Sequence, residues 1–209
     1  MQKIMVIVAH SDDEVLGCGG SIAKHYKAGD AIRIIYMTSI LTSRGGNVNL
    51  SKERRRALWV LGPCIESVAY GFPDQMLDTI PYLELTKAIE CEIDAFRPDI
   101  VYTHTSHDNN IDHGRVAFAV LPAVRPYRRP FIKKVRRFEI PPIDNDFVPN
   151  EWEDVASTIK IKLRALEAYK HELRKWPDPR SIESVEALAR ARGTGRSGFA
   201  EAFETIGEY

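Results

Sequence analysis

The sequence predicts an α/β fold: a Rossmann-like, mainly parallel sheet with flanking helices and a helical C-terminal extension. Three observations carry this. Short apolar, β-branched runs alternate with amphipathic stretches over residues 1–140, the pattern of βαβ crossovers. Polar residues gather just after those runs, at 10–13, 38–44, 72–78 and 104–113, and in an open parallel sheet such positions share the carboxyl edge where ligands bind. Beyond residue 140, Pro141-Pro142 and Pro149-Asn150 punctuate the chain, and charged helical patterning takes over.

Ile4 to Val8 are uninterrupted apolar residues, and 3–8 reads as the first strand. A helix over about residues 14–27 offers Leu16, Ile22, Ala23 and Tyr26 to a core, and Gly29-Asp30 ends it. Residues 31–37 carry Ile32, Ile34 and Ile35 as strand two, and 38–50 is a loop around Gly45-Gly46. A helix at 52–61 stops at Gly62-Pro63, and 65–70 is a third strand. The helix at 81–96 turns Leu83, Ile89 and Ile93 inward, 99–103 is a fourth strand, and 131–140 holds one more. Residues 152–173 and 182–192 read as two charged amphipathic helices packed on the sheet. The 209 residues are thus expected to form one domain, with 1–140 as α/β core and 141–209 as mainly helical extension.

Composition excludes several classes. Lys+Arg and Asp+Glu both total 29, so the chain lacks the positive field of a general nucleic-acid binder, and no nucleic-acid partner is expected. Cys18, Cys64 and Cys91 are odd in number and far apart, without metal-binding spacing, which suits a reducing compartment. No apolar run approaches the ~20 residues of a membrane span, and no signal-peptide pattern opens the chain. A cytoplasmic protein is expected; a homo-oligomer stays open.

The chemistry concentrates at Ala9-His10-Ser11-Asp12-Asp13-Glu14, where the first strand ends. His10 and Asp13 stand three apart, close enough for one turn to aim both at a point, and imidazole plus carboxylate suits Zn²⁺. A third ligand is expected elsewhere, and His113 is the best candidate. An isolated His-x-x-Asp equally serves a cap or a surface turn, and His104 and His107 suit structural hydrogen bonds. With Asp13 on a metal, Asp12 points elsewhere and can take a proton from an attacking water. Glu14 reads as a helix first-turn residue. Gly17, Gly19 and Gly20 do not fit the dinucleotide fingerprint; close approach of helix and sheet explains them better.

Together, residues 9–14 and Asn110-Ile111-Asp112-His113 resemble the two signature motifs of the PIG-L/LmbE family of zinc-dependent N-acetyl-sugar deacetylases, in a bacterial branch linked to polysaccharide and sugar-conjugate synthesis. Asp74-Gln75, Pro179-Arg180-Ser181 and residues 200–203 are similar to that branch as well. The resemblance implies a Rossmann-like sandwich, with His10, Asp13 and His113 as metal ligands, Asp12 as general base and Asp112 supporting the second motif. Ser11 replaces the usual proline. Asn110 stands where some relatives carry an oxyanion-stabilising histidine, a role its amide can take as a donor.

Asp74 is the best acidic match for binding sugar hydroxyls, with Asp108 also in the candidate site. Arg44 and Arg54 are candidates for a phosphate or hydroxyls, although the triplet Arg54-Arg55-Arg56 also suits a solvated face. The basic stretch from Arg125 to Arg137 suits either phosphate contact or an edge strand protected by charge. The expected reaction is metal-dependent hydrolysis of an N-acetyl amide on an amino-sugar conjugate, with Zn²⁺ as cofactor, although the same ligands suit Fe²⁺ or Mn²⁺. The alternatives are a deacylase of a non-sugar amide and a non-catalytic sugar- or nucleotide-binding protein.

Overall fold

A computed structural model describes residues 1–42, 48–142 and 146–208. Seven strands form one sheet: β1 (Lys3–Val8), β2 (Ala31–Thr38), β3 (Glu66–Phe72), β4 (Ile100–His104), β5 (Lys134–Phe138), β6 (Glu151–Asp154) and β7 (Ala200–Glu208). Their order is β3-β2-β1-β4-β5-β7-β6. The first five run parallel, and β7 pairs antiparallel with both β5 and β6. The helices are α1 (Asp13–Lys27), α2 (Ser51–Leu61), α3 (Tyr82–Phe96), α4 (Ile111–Ala123), α5 (Ile159–Leu166) and α6 (Ile182–Gly193).

Alternation along β1 divides the core. Ile4, Val6 and Val8 face a cluster with Leu16 and Ile22 of α1, Leu58 of α2 and Leu166 of α5. Met5 and Ile7 face the opposite cluster, with Ile89 and Ile93 of α3 and Val116 and Val120 of α4. Because β1 is buried on both faces, it reads as a continuous apolar run. The chain leaves β1 toward β2 on one side, while β4 lies on the other. Strand order therefore reverses between β1 and β4, and the crevice at their carboxyl ends is where such sheets bind ligands.

The expected fold class stands, with a different extension. Residues 151–154 are a strand, α5 is only eight residues long, and β7 closes against β5. The charged run on β6 mimicked a helix because Glu151 and Glu153 alternate outward to meet basic partners on β5. Arg136 pairs with both acids, and Lys134 joins Glu151. β5 is consequently interior, not a charge-protected edge. Arg129, earlier in the same basic stretch, is bound by Asp94 and Glu90. The helix α4, with Pro122 inside it, was hidden behind the polar run at 104–113.

The glycines after the first motif do what close packing requires. A Cβ on Gly17 would lie 2.2 Å from the Phe138 ring, and one on Gly20 would lie 2.9 Å from Val155. Gly17 therefore admits α1 against the middle of the sheet. Among the described residues, no helix is long and apolar enough to cross a membrane.

Candidate metal centre

His10 leaves the end of β1, Asp13 opens α1 and His113 sits in the first turn of α4, behind its cap. Asn110 is that cap: its side-chain oxygen accepts the Asp112 amide at 2.9 Å. His113 is thus presented by a helix start, not by a loop. Thr38 locks the end of β1 through its hydroxyl, which donates to Ala9 O at 2.7 Å.

One ligand atom from each of His10, Asp13 and His113 lies within 4.8 Å of the others. His10 Nδ1 is 3.2 Å from His113 Nε2 and 3.4 Å from Asp13 Oδ2, and His113 Nε2 is 3.3 Å from Asp13 Oδ1. A tetrahedral ion with ligands at about 2.0–2.1 Å separates them by about 3.3–3.4 Å, so the spacing fits. The donor set fits as well. Asp13 is fully buried, and among the described residues its Oδ1 accepts no hydrogen bond, an arrangement that is costly without a cation nearby. These three residues form a metal-binding His/Asp triad.

The outer ring nitrogens are held by carboxylates. His10 Nε2 lies 3.0 Å from Asp112 Oδ2, and His113 Nδ1 lies 2.7 Å from Asp108 Oδ2. Asp112 is fastened in turn by the amides of Gln75 and Leu77 at 2.8 and 2.9 Å. Such carboxylate partners fix the orientation and tautomer of ligating histidines. Burial disfavours charge on both rings, but their carboxylates prevail, raising His10 to about 10 and His113 to about 9. Burial likewise opposes charge on Asp13, and the facing histidines nevertheless hold it well below the ordinary carboxylate range.

His104 is different. It is fully buried, and its Nε2 accepts the Ala9 amide at 3.0 Å, which makes the ring neutral and places its proton on Nδ1. Burial, followed by the charge of His113, lowers it to about 4. It stacks on His113 with centroids 4.1 Å apart. His104 is thus a structural histidine, while His107 is exposed.

Asp12 is buried beside the triad and lines a cavity of about 280 Å³ shared with His10, Asp74, Gln75, Asn110 and His113. Burial pushes its carboxyl up to about 8 against the pull of Arg180, whose Nη2 donates to Asp12 Oδ2 at 2.9 Å. Glu14 is far more than a first-turn charge. It is fully buried, accepts the Asp12 amide at 3.1 Å and accepts the Tyr169 hydroxyl at 2.6 Å. A second opening, lined by Asp108, Ile111, Asp112 and Pro141, shares Gln75, Asn110, His113 and Arg180 with the first.

The remaining candidates scatter. Asp74 Oδ1 lies 3.3 Å from His10 Nε2 at the cavity wall. Asp108 is engaged with His113. Arg54 stacks over Tyr36, 4.5 Å from the ring centroid, and does not line the cavity. Arg44 lies outside the described residues. Sequence reasoning gave no role to Tyr169, Gln75 or Arg180; for Arg180 the only signal was the Pro179-Arg180-Ser181 resemblance.

The family signature described as "PIG-L: GlcNAc-PI de-N-acetylase" matches residues 5–124, more than half of the chain, and both motifs lie inside it. The chain belongs to the PIG-L family. This PIG-L deacetylase-family chain is 31% identical over 175 residues to "Uncharacterized deacetylase YaiS" of Escherichia coli, spanning 80% of this chain and 90% of that protein. Its fold is similar to that of the N,N'-diacetylchitobiose deacetylase from Pyrococcus horikoshii, with a TM-score of 0.78 at 19% identity over 99% of this chain and 84% of the other. The zinc-inhibited form of teicoplanin deacetylase Orf2 superposes with a TM-score of 0.80 at 16% identity, covering 97% of each chain. The 4-carboxy-2-hydroxymuconate hydratase GalB from Pseudomonas putida shares the fold too, with a TM-score of 0.77 at 19% identity over 100% of this chain and 98% of that one. Reaction type in a PIG-L chain therefore has to be argued from the site, not from the fold.

Proposed function

We propose that this PIG-L family member hydrolyses the N-acetyl amide of an amino-sugar conjugate, with zinc held by His10, Asp13 and His113 and with Asp12 as general base. The observation that carries the reading is the pairing of a complete triad with a separate carboxylate, Asp12, facing the same cavity. A pure binding module needs neither a metal triad nor a spare base beside it. The family signature, and relatives named as deacetylases of diacetylchitobiose and of teicoplanin, support the acetyl amide and the sugar.

Zinc bound there acidifies water and polarises an amide carbonyl. Asp12 removes the proton from water as the oxygen attacks the acetyl carbon, then passes it to the nitrogen as the C–N bond breaks. Acetate and a free amine leave. Asn110 serves this step through its amide NH₂: its oxygen is committed to the α4 cap, so its donors are left for the developing oxyanion. Asp112 and Asp108 act through His10 and His113, holding each ring in its ligating tautomer. Asp74 lines the same cavity, where its carboxylate would accept from a sugar hydroxyl.

The test is acetate release from a panel of N-acetyl-hexosamine conjugates and non-sugar N-acetyl amides. Release confined to the sugar conjugates is expected. Release from the non-sugar amides alone would replace the substrate assignment while keeping the chemistry, and silence toward both would remove the hydrolytic reading.

A further inference from the structure

Two groups from beyond the segment covered by the family signature bear on Asp12, Arg180 directly and Tyr169 through Glu14. Asp12 has φ 96°, a left-handed conformation that a non-glycine residue keeps only when its surroundings hold it there. Two chains of contacts do so. The Asp12 amide donates to Glu14 Oε2, and Glu14 Oε1 is held by the hydroxyl of Tyr169, which is fully buried just after α5. The Asp12 carboxylate accepts from Arg180, 168 residues away in the turn that precedes α6. The signature ends at residue 124.

Arg180 is itself anchored. Its backbone amide donates to Asp178 Oδ1 at 2.8 Å, and the next residue, Ser181, caps α6. One guanidinium nitrogen meets one Asp12 oxygen, while Arg180 Nε is buried and unpartnered among the described residues. Asp12 lines the cavity, and Arg180 reaches its Oδ2, not its Oδ1. The contact is end-on, one guanidinium nitrogen on Oδ2.

We propose that Arg180 is a positioning residue for the base: the C-terminal extension grips Asp12 Oδ2 and leaves Oδ1 toward the substrate. The inference rests on the reading of Asp12 as general base. A carboxylate free to swing would spend much of its time off the line of proton transfer, and misplacement on the ångström scale costs about 10²-fold in rate. The guanidinium enforces direction as well as charge, so lysine is an incomplete substitute.

The test compares metal-loaded wild type with Arg180→Ala, Arg180→Lys and Arg180→Gln on the conjugate that wild type turns over best. Arg180→Ala is expected to lose kcat by about 10²-fold with KM changed less than about threefold, and to regain part of kcat when guanidinium is added. Arg180→Lys should fall between wild type and Arg180→Ala. A loss confined to KM would make Arg180 a substrate-binding group, and unchanged kcat or absent guanidinium rescue would overturn the proposal. Crystal structures of Arg180→Ala and Arg180→Gln supply a readout independent of turnover. The Asp12 carboxylate should rotate away in both; an unmoved Asp12 overturns the proposal whatever the rates. If wild type releases acetate from no substrate, the functional reading fails by itself, and the crystallographic arm still decides what Arg180 does to Asp12.

Discussion

Asp112 Oδ2 lies 3.0 Å from His10 Nε2, while the other nitrogen of that ring faces His113 and Asp13. His10 is thereby oriented from behind by a carboxylate that two backbone amides hold rigid. The same relation recurs between Asp108 and His113. Asp112→Asn and Asp108→Asn should therefore keep the fold and weaken metal affinity by about 10–100-fold each. Competition with a chromophoric chelator measures this; affinity within twofold of wild type in both variants would deny the carboxylates that role.

Protons and metal compete for the triad. Although burial opposes it, the carboxylates raise His10 to about 10 and His113 to about 9, which favours protonation of this histidine pair before metal binds. The raised values mean that these charges stabilise the metal-free fold fully below the unfolded histidine value of about 6.5. That contribution disappears as pH rises through about 9 and 10. A divalent ion must displace any proton on the ligating nitrogens, so apparent affinity climbs with pH. Calorimetric titration with zinc at pH 7, in buffers of different ionisation enthalpy, should show net proton release on binding. A heat independent of buffer would contradict this competition between protons and metal.

The side-chain link from β6 to β5, made across β7, is an acid-sensitive joint. Burial opposes charge on Glu151, but hydrogen bonds from Arg136, Thr205 and Lys134 bring it down to about 2. A depressed value gives stability above the unfolded carboxyl value of about 4.3, lost as pH falls toward 2. Glu151→Gln should therefore cost on the order of 2 kcal/mol at pH 7. Denaturant curves of wild type and variant should converge near pH 2; a constant gap across pH would show that charge is not the cause.

Gly17 has no room to grow. Its absent Cβ would stand 2.2 Å from Phe138, so Gly17→Ala should destabilise by about 1–3 kcal/mol and lower Tm by about 2–12 °C. Phe138→Leu in the same chain should return part of the loss. A Tm equal to wild type for Gly17→Ala alone would mean that helix and sheet can separate at little cost.

The sequence made local relations legible and hid distant ones. His10, Asp12 and Asp13 fall within one turn at a strand end, so ligand chemistry could sort them without a structure. Asp108 and His113 are also close in sequence, but their contact depends on α4 starting at Asn110, and the polar run before it disguised that start. Arg180 reaches Asp12 across most of the chain, where no periodicity or spacing connects them. The extension was misread for a similar reason. Glu151 and Glu153 meet Lys134 and Arg136 of β5, which reach them across β7, and alternation driven by a neighbouring part of the sheet cannot be told from a helix face in four residues.

The most direct test of the account is acetate release by the purified chain from N-acetyl-hexosamine conjugates, followed by proton NMR with and without zinc. The account predicts acetate and free amine in equal amounts, lost on chelation and restored by zinc. It also predicts at least about 10³-fold slower release by an Asp12→Asn variant that still holds the metal. Zinc-loaded wild type that releases no acetate, or Asp12→Asn that releases it at the wild-type rate, would contradict it.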